Sequence, residues 1–122
     1  MIDLYTKGKG GKISENLWAV EMDCKCDFDD CTFTIVDKKL AFKWARFRAN
    51  FSSPITVTSG FRCQRHNANV GGHPNSRHKK GQALDLLIPK GHTIESFAAI
   101  ARSYFEKVIL YPEQGFIHVN VE

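Results

Sequence analysis

The stretch Ser76-Arg77-His78-Lys79-Lys80-Gly81-Gln82-Ala83-Leu84-Asp85-Leu86-Leu87-Ile88-Pro89 passes abruptly from a polar, basic segment to an apolar one. Its second part, Ala83 to Ile88, is short, apolar and closed by a proline, the pattern of a buried strand. Asp85 stands in the middle of that strand, where a carboxylate needs a partner or a task. The segment from His73 to Gly81 reads as an exposed loop that carries His78.

Working outward, Ile55-Thr56-Val57-Thr58 alternates apolar and polar residues as a half-buried strand does. Ser59-Gly60 breaks it, so Arg62 follows a strand end. A short helix is expected from Gln64 to Val70, stopping at Gly71-Gly72, since glycine readily takes the left-handed conformation beyond a helix end. Farther upstream, Leu40, Trp44, Phe47 and Phe51 recur at helical spacing behind Asp37, a suitable N-cap, and Ser52-Ser53-Pro54 ends the run. Downstream, Thr93 caps a helix expected from Ile94 to Phe105, with Phe97, Ile100, Ala101, Tyr104 and Phe105 on one face. A hairpin follows, with strands Val108 to Tyr111 and Phe116 to Val121 and the turn Pro112-Glu113-Gln114-Gly115. Alternation puts Phe116, His118 and Asn120 on one face, and Ile117, Val119 and Val121 on the other. These elements describe an α+β fold, a small, mainly antiparallel sheet flanked by helices. At 122 residues the chain fits one domain, 1–122.

His78, Asp85 and His118 offer two imidazoles and a carboxylate, and both ligand types suit zinc. Three protein ligands leave a fourth position for water, whose pKa the ion brings down to about 7. On residue chemistry alone, Asp85 equally suits an ion pair with Arg62 or backbone hydrogen bonds, and His118 a structural role in the sheet. The spacing Ser76-x-His78-x-x-Gly81-x-Ala83-x-Asp85, preceded by Ser59-Gly60-Phe61-Arg62 and followed by Phe116-Ile117-His118-Val119, closely resembles the M15 peptidases. These are the D-alanyl-D-alanine carboxypeptidase and endopeptidase family. The resemblance runs from about residue 55 to 121 and is nearest in order and spacing to the small phage-type members, whose look the segment around Cys24, Cys26 and Cys31 also shares.

The resemblance implies a zinc-dependent peptidase that hydrolyses the peptide stems or cross-links of peptidoglycan, as a carboxypeptidase or an endopeptidase. It makes His78, Asp85 and His118 the zinc ligands, on the sheet face. Arg62 matches the arginine that holds substrate carboxylate or carbonyl groups, with Ser76 assisting in substrate binding, and a planar guanidinium suits that role. Many members place a Glu or Asp three residues before the last zinc histidine as general base. Here that position is Gly115, which leaves Glu113, in the preceding turn, as the candidate base. The missing carboxylate also raises an alternative, a catalytically silent zinc-containing module that binds cell wall. His66 and His73 are further candidates to line the cleft.

The formal charge of +4 permits attraction to an anionic polymer, but no interleaving of basic and aromatic residues marks a nucleic-acid face. No apolar run approaches the roughly 20 residues of a membrane span. The opening, Met1 to Lys7, turns polar and glycine-rich at once and lacks the apolar middle of a secretory signal. The expectation is therefore a monomer made in the cytoplasm, and the resemblance implies that it reaches the bacterial wall as a phage lysin or virion component, with peptidoglycan stems as its partner. Cys24, Cys26 and Cys31 cluster while Cys63 stands apart. A Cys24–Cys26 bridge would be strained, so a disulfide to Cys63, a second, structural zinc, and plain reduced thiols are the readings that the cysteines offer.

Overall fold

The computed structural model describes residues 1–122 and arranges them as an α+β fold. In chain order the elements are β1 (Ile2–Thr6), β2 (Lys12–Ser14), β3 (Leu17–Trp18), α1 (Ala19–Met22), β4 (Phe33–Asp37), α2 (Lys38–Arg48), β5 (Val57–Ser59), α3 (Gln64–Asn69), a 3-10 turn (Arg77–Lys80), β6 (Ala83–Leu87), α4 (Ile94–Ala101), β7 (Lys107–Tyr111) and β8 (Phe116–Asn120). The central sheet has the order β5-β6-β8-β7, and β1-β4 and β2-β3 form two-stranded ribbons. Every pairing is antiparallel.

The register of the two middle strands separates core from cleft. Asp85 lies opposite His118, Leu84 opposite Val119 and Leu86 opposite Ile117. Because side chains alternate across a strand, the four aliphatic residues share one face and the two polar ones the other. Leu84, Leu86, Ile117 and Val119 are fully buried in one cluster with Leu40, Trp44 and Phe47 of α2 and Phe97, Ala98 and Ala101 of α4. Phe47 stands at its centre, with ring centroids 5.6 Å from Phe97, 5.3 Å from Phe105 and 5.0 Å from Phe51. Each such side chain contributes roughly 1.5–3 kcal/mol by leaving water.

The helices begin where the sequence places them. Asp37 Oδ1 accepts the Lys39 N–H at 2.8 Å, and Thr93 Oγ1 accepts the Ser96 N–H at 3.1 Å. Their ends come earlier. Asn50 Nδ2 donates to the Phe47 carbonyl and closes α2 before Phe51, which is buried beyond the helix. After Ala101 the backbone tightens, Ser103 N–H reaching the Ile100 carbonyl and Tyr104 N–H that of Ala101, so α4 stops short of Phe105. The strand expected at Ile55–Thr58 is displaced to Val57–Ser59, while Ile55 keeps its place in the core.

The 3-10 turn is seated on the N-terminal ribbon by a glycine. Gly81 has φ +67, and a Cβ there would lie 2.2 Å from the Ile35 carbonyl oxygen. The Gly81 carbonyl accepts the Asp37 N–H at 3.0 Å, and Gln82 Nε2 donates to Asp37 Oδ2 at 2.9 Å. Gly91 is also left-handed, φ +88, with open space around it. Gly81→Ala is therefore expected to cost roughly 2–4 kcal/mol of unfolding free energy and Gly91→Ala only about 1 kcal/mol, as read by urea denaturation. Equal costs would show that contact with β4 plays no part.

Candidate metal centre

His78, Asp85 and His118 each offer a ligand atom within 4.8 Å of the other two. Asp85 Oδ1 is the common point, 3.2 Å from His78 Nε2 and 3.1 Å from His118 Nδ1. The remaining ring nitrogens fix the tautomers. His78 Nδ1 lies 2.6 Å from the Gly60 carbonyl, which can only accept, so this nitrogen carries a proton and Nε2 is the atom left to ligate. His118 Nε2 pairs with Asn120 Oδ1 at 2.8 Å, a contact that suits a proton on Nε2 and makes Nδ1 the ligating atom. The three facing atoms need positive charge among them, which protons supply in the metal-free chain and a bound cation would supply in their place. The set fits a divalent metal of zinc type, with outer hydrogen bonds holding both imidazoles in ligating form.

Each ligand is held by its element. Ser76 Oγ accepts the His78 N–H at 3.2 Å and caps the 3-10 turn, and the His78 carbonyl accepts the Arg62 N–H at 3.1 Å. His78, expected on an exposed loop, is 2% exposed, because the turn tucks against β4 and β6. Ser76 is thus the residue that positions His78, while its side also lines the cleft. In the metal-free chain, burial alone would push the Asp85 carboxyl up, but the hydrogen bonds and positive charge that His118 and His78 supply when their facing nitrogens carry protons outweigh it and hold it at about 2. A bound metal takes the place of those protons.

Arg62 completes the floor. Its Nη2 is 3.3 Å from Asp85 Oδ2, its Nε 3.2 Å from Ser59 Oγ and its Nη1 3.3 Å from Asn67 Oδ1. The ion pair and the metal-ligand arrangement, alternatives in the sequence, therefore coexist on the two oxygens of one carboxylate. Of the five guanidinium N–H groups, those left over are free for a ligand in the cleft.

The cleft above the centre has a volume of about 800 Å³, and Ile109, Tyr111 and Phe116 form one wall. His73 lines it, but His66 does not. Glu113 lies away from it, over a small depression formed with Leu110, Pro112 and Gln114. The other carboxylates on the cleft, Glu106 and Glu122, are paired with Lys43 and Lys39. Gly115 has φ +74 and its N–H donates to the Tyr111 carbonyl at 3.0 Å, so the hairpin turn itself favours glycine at the position where the resemblance leads one to expect a carboxylate. Asn120, Asn67 and Ser59 were not singled out from the sequence. Alternation places Asn120 beside His118 and Ser59 opens the Ser59-Gly60-Phe61-Arg62 motif, signals that were available, whereas Asn67 carries none.

Three candidate ligands facing one another at the floor of a cleft are an arrangement that a mononuclear metal site can use. The chain belongs to the Peptidase M15 family, whose model matches residues 15–120. A stretch of 50 residues is also 48% identical to a zinc D-Ala-D-Ala carboxypeptidase of Streptomyces albus G. That match covers 41% of this chain and 18% of the other protein.

Two outcomes follow from the geometry. Asn120→Ala is expected to weaken zinc binding about 10- to 100-fold, measured by competition with a chromophoric chelator, because His118 loses the group that fixes its tautomer. In metal-free protein, the depressed Asp85 value contributes stability that is fully present above the ordinary carboxylate value near 4 and is lost as pH falls through about 2. Denaturation of wild type and Asp85→Asn should therefore differ less at pH 2 than at pH 5, the change being no more than about 2 kcal/mol.

Proposed function

We propose that this chain is a zinc-dependent peptidase that hydrolyses the peptide stems or cross-links of peptidoglycan. The carrying observation is the convergence of His78 Nε2, His118 Nδ1 and Asp85 Oδ1, each with its outer partner in place. Membership of the M15 family and the likeness to a D-Ala-D-Ala carboxypeptidase support the substrate class.

In this reading His78, Asp85 and His118 hold the zinc. When bound, zinc supplies Lewis acidity and lowers the pKa of water toward 7. Arg62 is pre-oriented by Ser59, Asn67 and Asp85, and its free N–H groups donate to the oxygen of a stem carbonyl or terminal carboxylate as charge develops there. Ser76 keeps His78 in place. Arg77 and Lys107 share the cleft lining with Glu106 and Glu122, so its rim offers both signs of charge to a wall peptide. Delivery as a phage lysin or virion component fits such a substrate.

Glu113 sits off the cleft, so the reading gives it no part in proton transfer. This favours one second reading, a catalytically silent zinc module that holds wall peptides in the same cleft. Loss of a general base costs about 10²- to 10⁴-fold, which slows a peptidase without abolishing it.

Zinc-loaded protein incubated with purified peptidoglycan fragments should release products, identified by mass spectrometry, that disappear with a chelator and in His118→Ala. Arg62→Ala should lower kcat/KM about 100-fold or more while zinc content stays at the wild-type level. If zinc binds tightly and every stem and cross-bridge type stays intact, the silent module is the correct account.

A further inference from the structure

Away from the cleft floor, four cysteines meet. Cys24, Cys26 and Cys31 lie in the irregular segment between α1 and β4, and Cys63 caps the start of α3. Their four Sγ atoms all lie within 4.8 Å of one another, and none is in a disulfide. Cys63 Sγ is 3.7 Å from that of Cys24 and 3.9 Å from that of Cys26. In a zinc–thiolate tetrahedron with bonds of about 2.3 Å, neighbouring sulfurs stand about 3.8 Å apart. A disulfide brings two sulfurs to about 2.05 Å and gives the other two no reason to converge.

We propose that Cys24, Cys26, Cys31 and Cys63 bind a second metal ion, zinc, in a closed structural site. The four thiols give up their protons on binding, and four protein ligands leave no position for water, so this centre carries no chemistry of its own. Its surroundings suit the excess negative charge of four thiolates around a dication. The Cys63 N–H donates to Cys24 Sγ at 3.3 Å and the His66 N–H to Cys63 Sγ at 3.4 Å. Lys7 Nζ stands 3.4 Å from Cys26 Sγ and 3.2 Å from the Cys26 carbonyl.

The site closes a gap in the architecture. From Cys24 to Thr32 the chain has neither helix nor strand. A metal there ties this segment to the residue next to Arg62 and to the first turn of α3, whose Asn67 orients the guanidinium. The clamp therefore bears on the substrate side of the cleft while leaving the His78, Asp85 and His118 centre complete.

The test counts metal and needs no peptidase activity, so it stands apart from the reading above. Full-length protein purified under reducing conditions should contain two zinc ions per chain, and the double variant His78→Ala, His118→Ala should retain one. Wild type reconstituted with cobalt alone should show the near-ultraviolet thiolate-to-cobalt charge-transfer band of a four-sulfur site, and Cys26→Ser should diminish it. The cobalt spectrum of the unaltered chain keeps the test decisive even where a variant fails to fold. A double variant that folds and holds no metal, no thiolate band in the cobalt-loaded wild type, or a Cys24–Cys63 disulfide found by mass mapping would each overturn the proposal.

Discussion

A carboxylate in the middle of a buried strand governs this molecule. Asp85 is 7% exposed, surrounded on β6 by Leu84 and Leu86, and an isolated charge there would be far too costly to keep. Its two oxygens are divided between separate tasks. Oδ1 faces the two imidazoles and Oδ2 faces Arg62. The arginine offsets charge that the histidines, in their ligating tautomers, cannot, and the strand's burial keeps water from loosening the set. Pairs and hydrogen bonds of this kind are worth most where both partners are partly desolvated.

Much of this was legible from side-chain pattern alone. The apolar run around Asp85, the alternation of Phe116 to Val121, and the caps Asp37 and Thr93 are local signals, and they placed β6, β8, α2 and α4 with the ligands on the sheet face. The N-terminal third was not read, because its strands carry no such signal. β1 alternates only between exposed and half-buried positions, and its partner β4 lies far along the chain, so nothing within either segment announces the pairing. The burial of His78 was hidden for a related reason. A basic, polar segment has the composition of a loop, and only Gly81 packed on Ile35 shows that it is pressed against a strand.

The turn before His118 shows composition and conformation in conflict. A general base three residues ahead of that histidine would need a side chain at Gly115, yet the left-handed backbone that closes the hairpin there favours the one residue without one. Glu113, close in sequence, faces another depression because the turn reverses between the two positions. Nearness along the chain did not become nearness in space. The cysteines illustrate the opposite case. Cys63 is far from the other three in sequence and joins them because the segment after α1 folds back across the start of α3.

The direct pairing of Asp85 with His118 also bears on how such a chain can change over generations. Both strands place core residues and metal-site residues at alternate positions, so a single-residue insertion or deletion in β6 would turn its core residues toward the cleft and bury Asp85, and one in β8 would do the same to His118. β6 and β8 are therefore free to drift by replacement but closed to changes in length. Variation in size is channelled into the connection between β6 and α4 and into the hairpin turn, where the backbone is exposed. The hairpin turn joins the two strands that carry Tyr111 and Phe116 on the cleft wall, so added length there is the place from which a new substrate preference could be built.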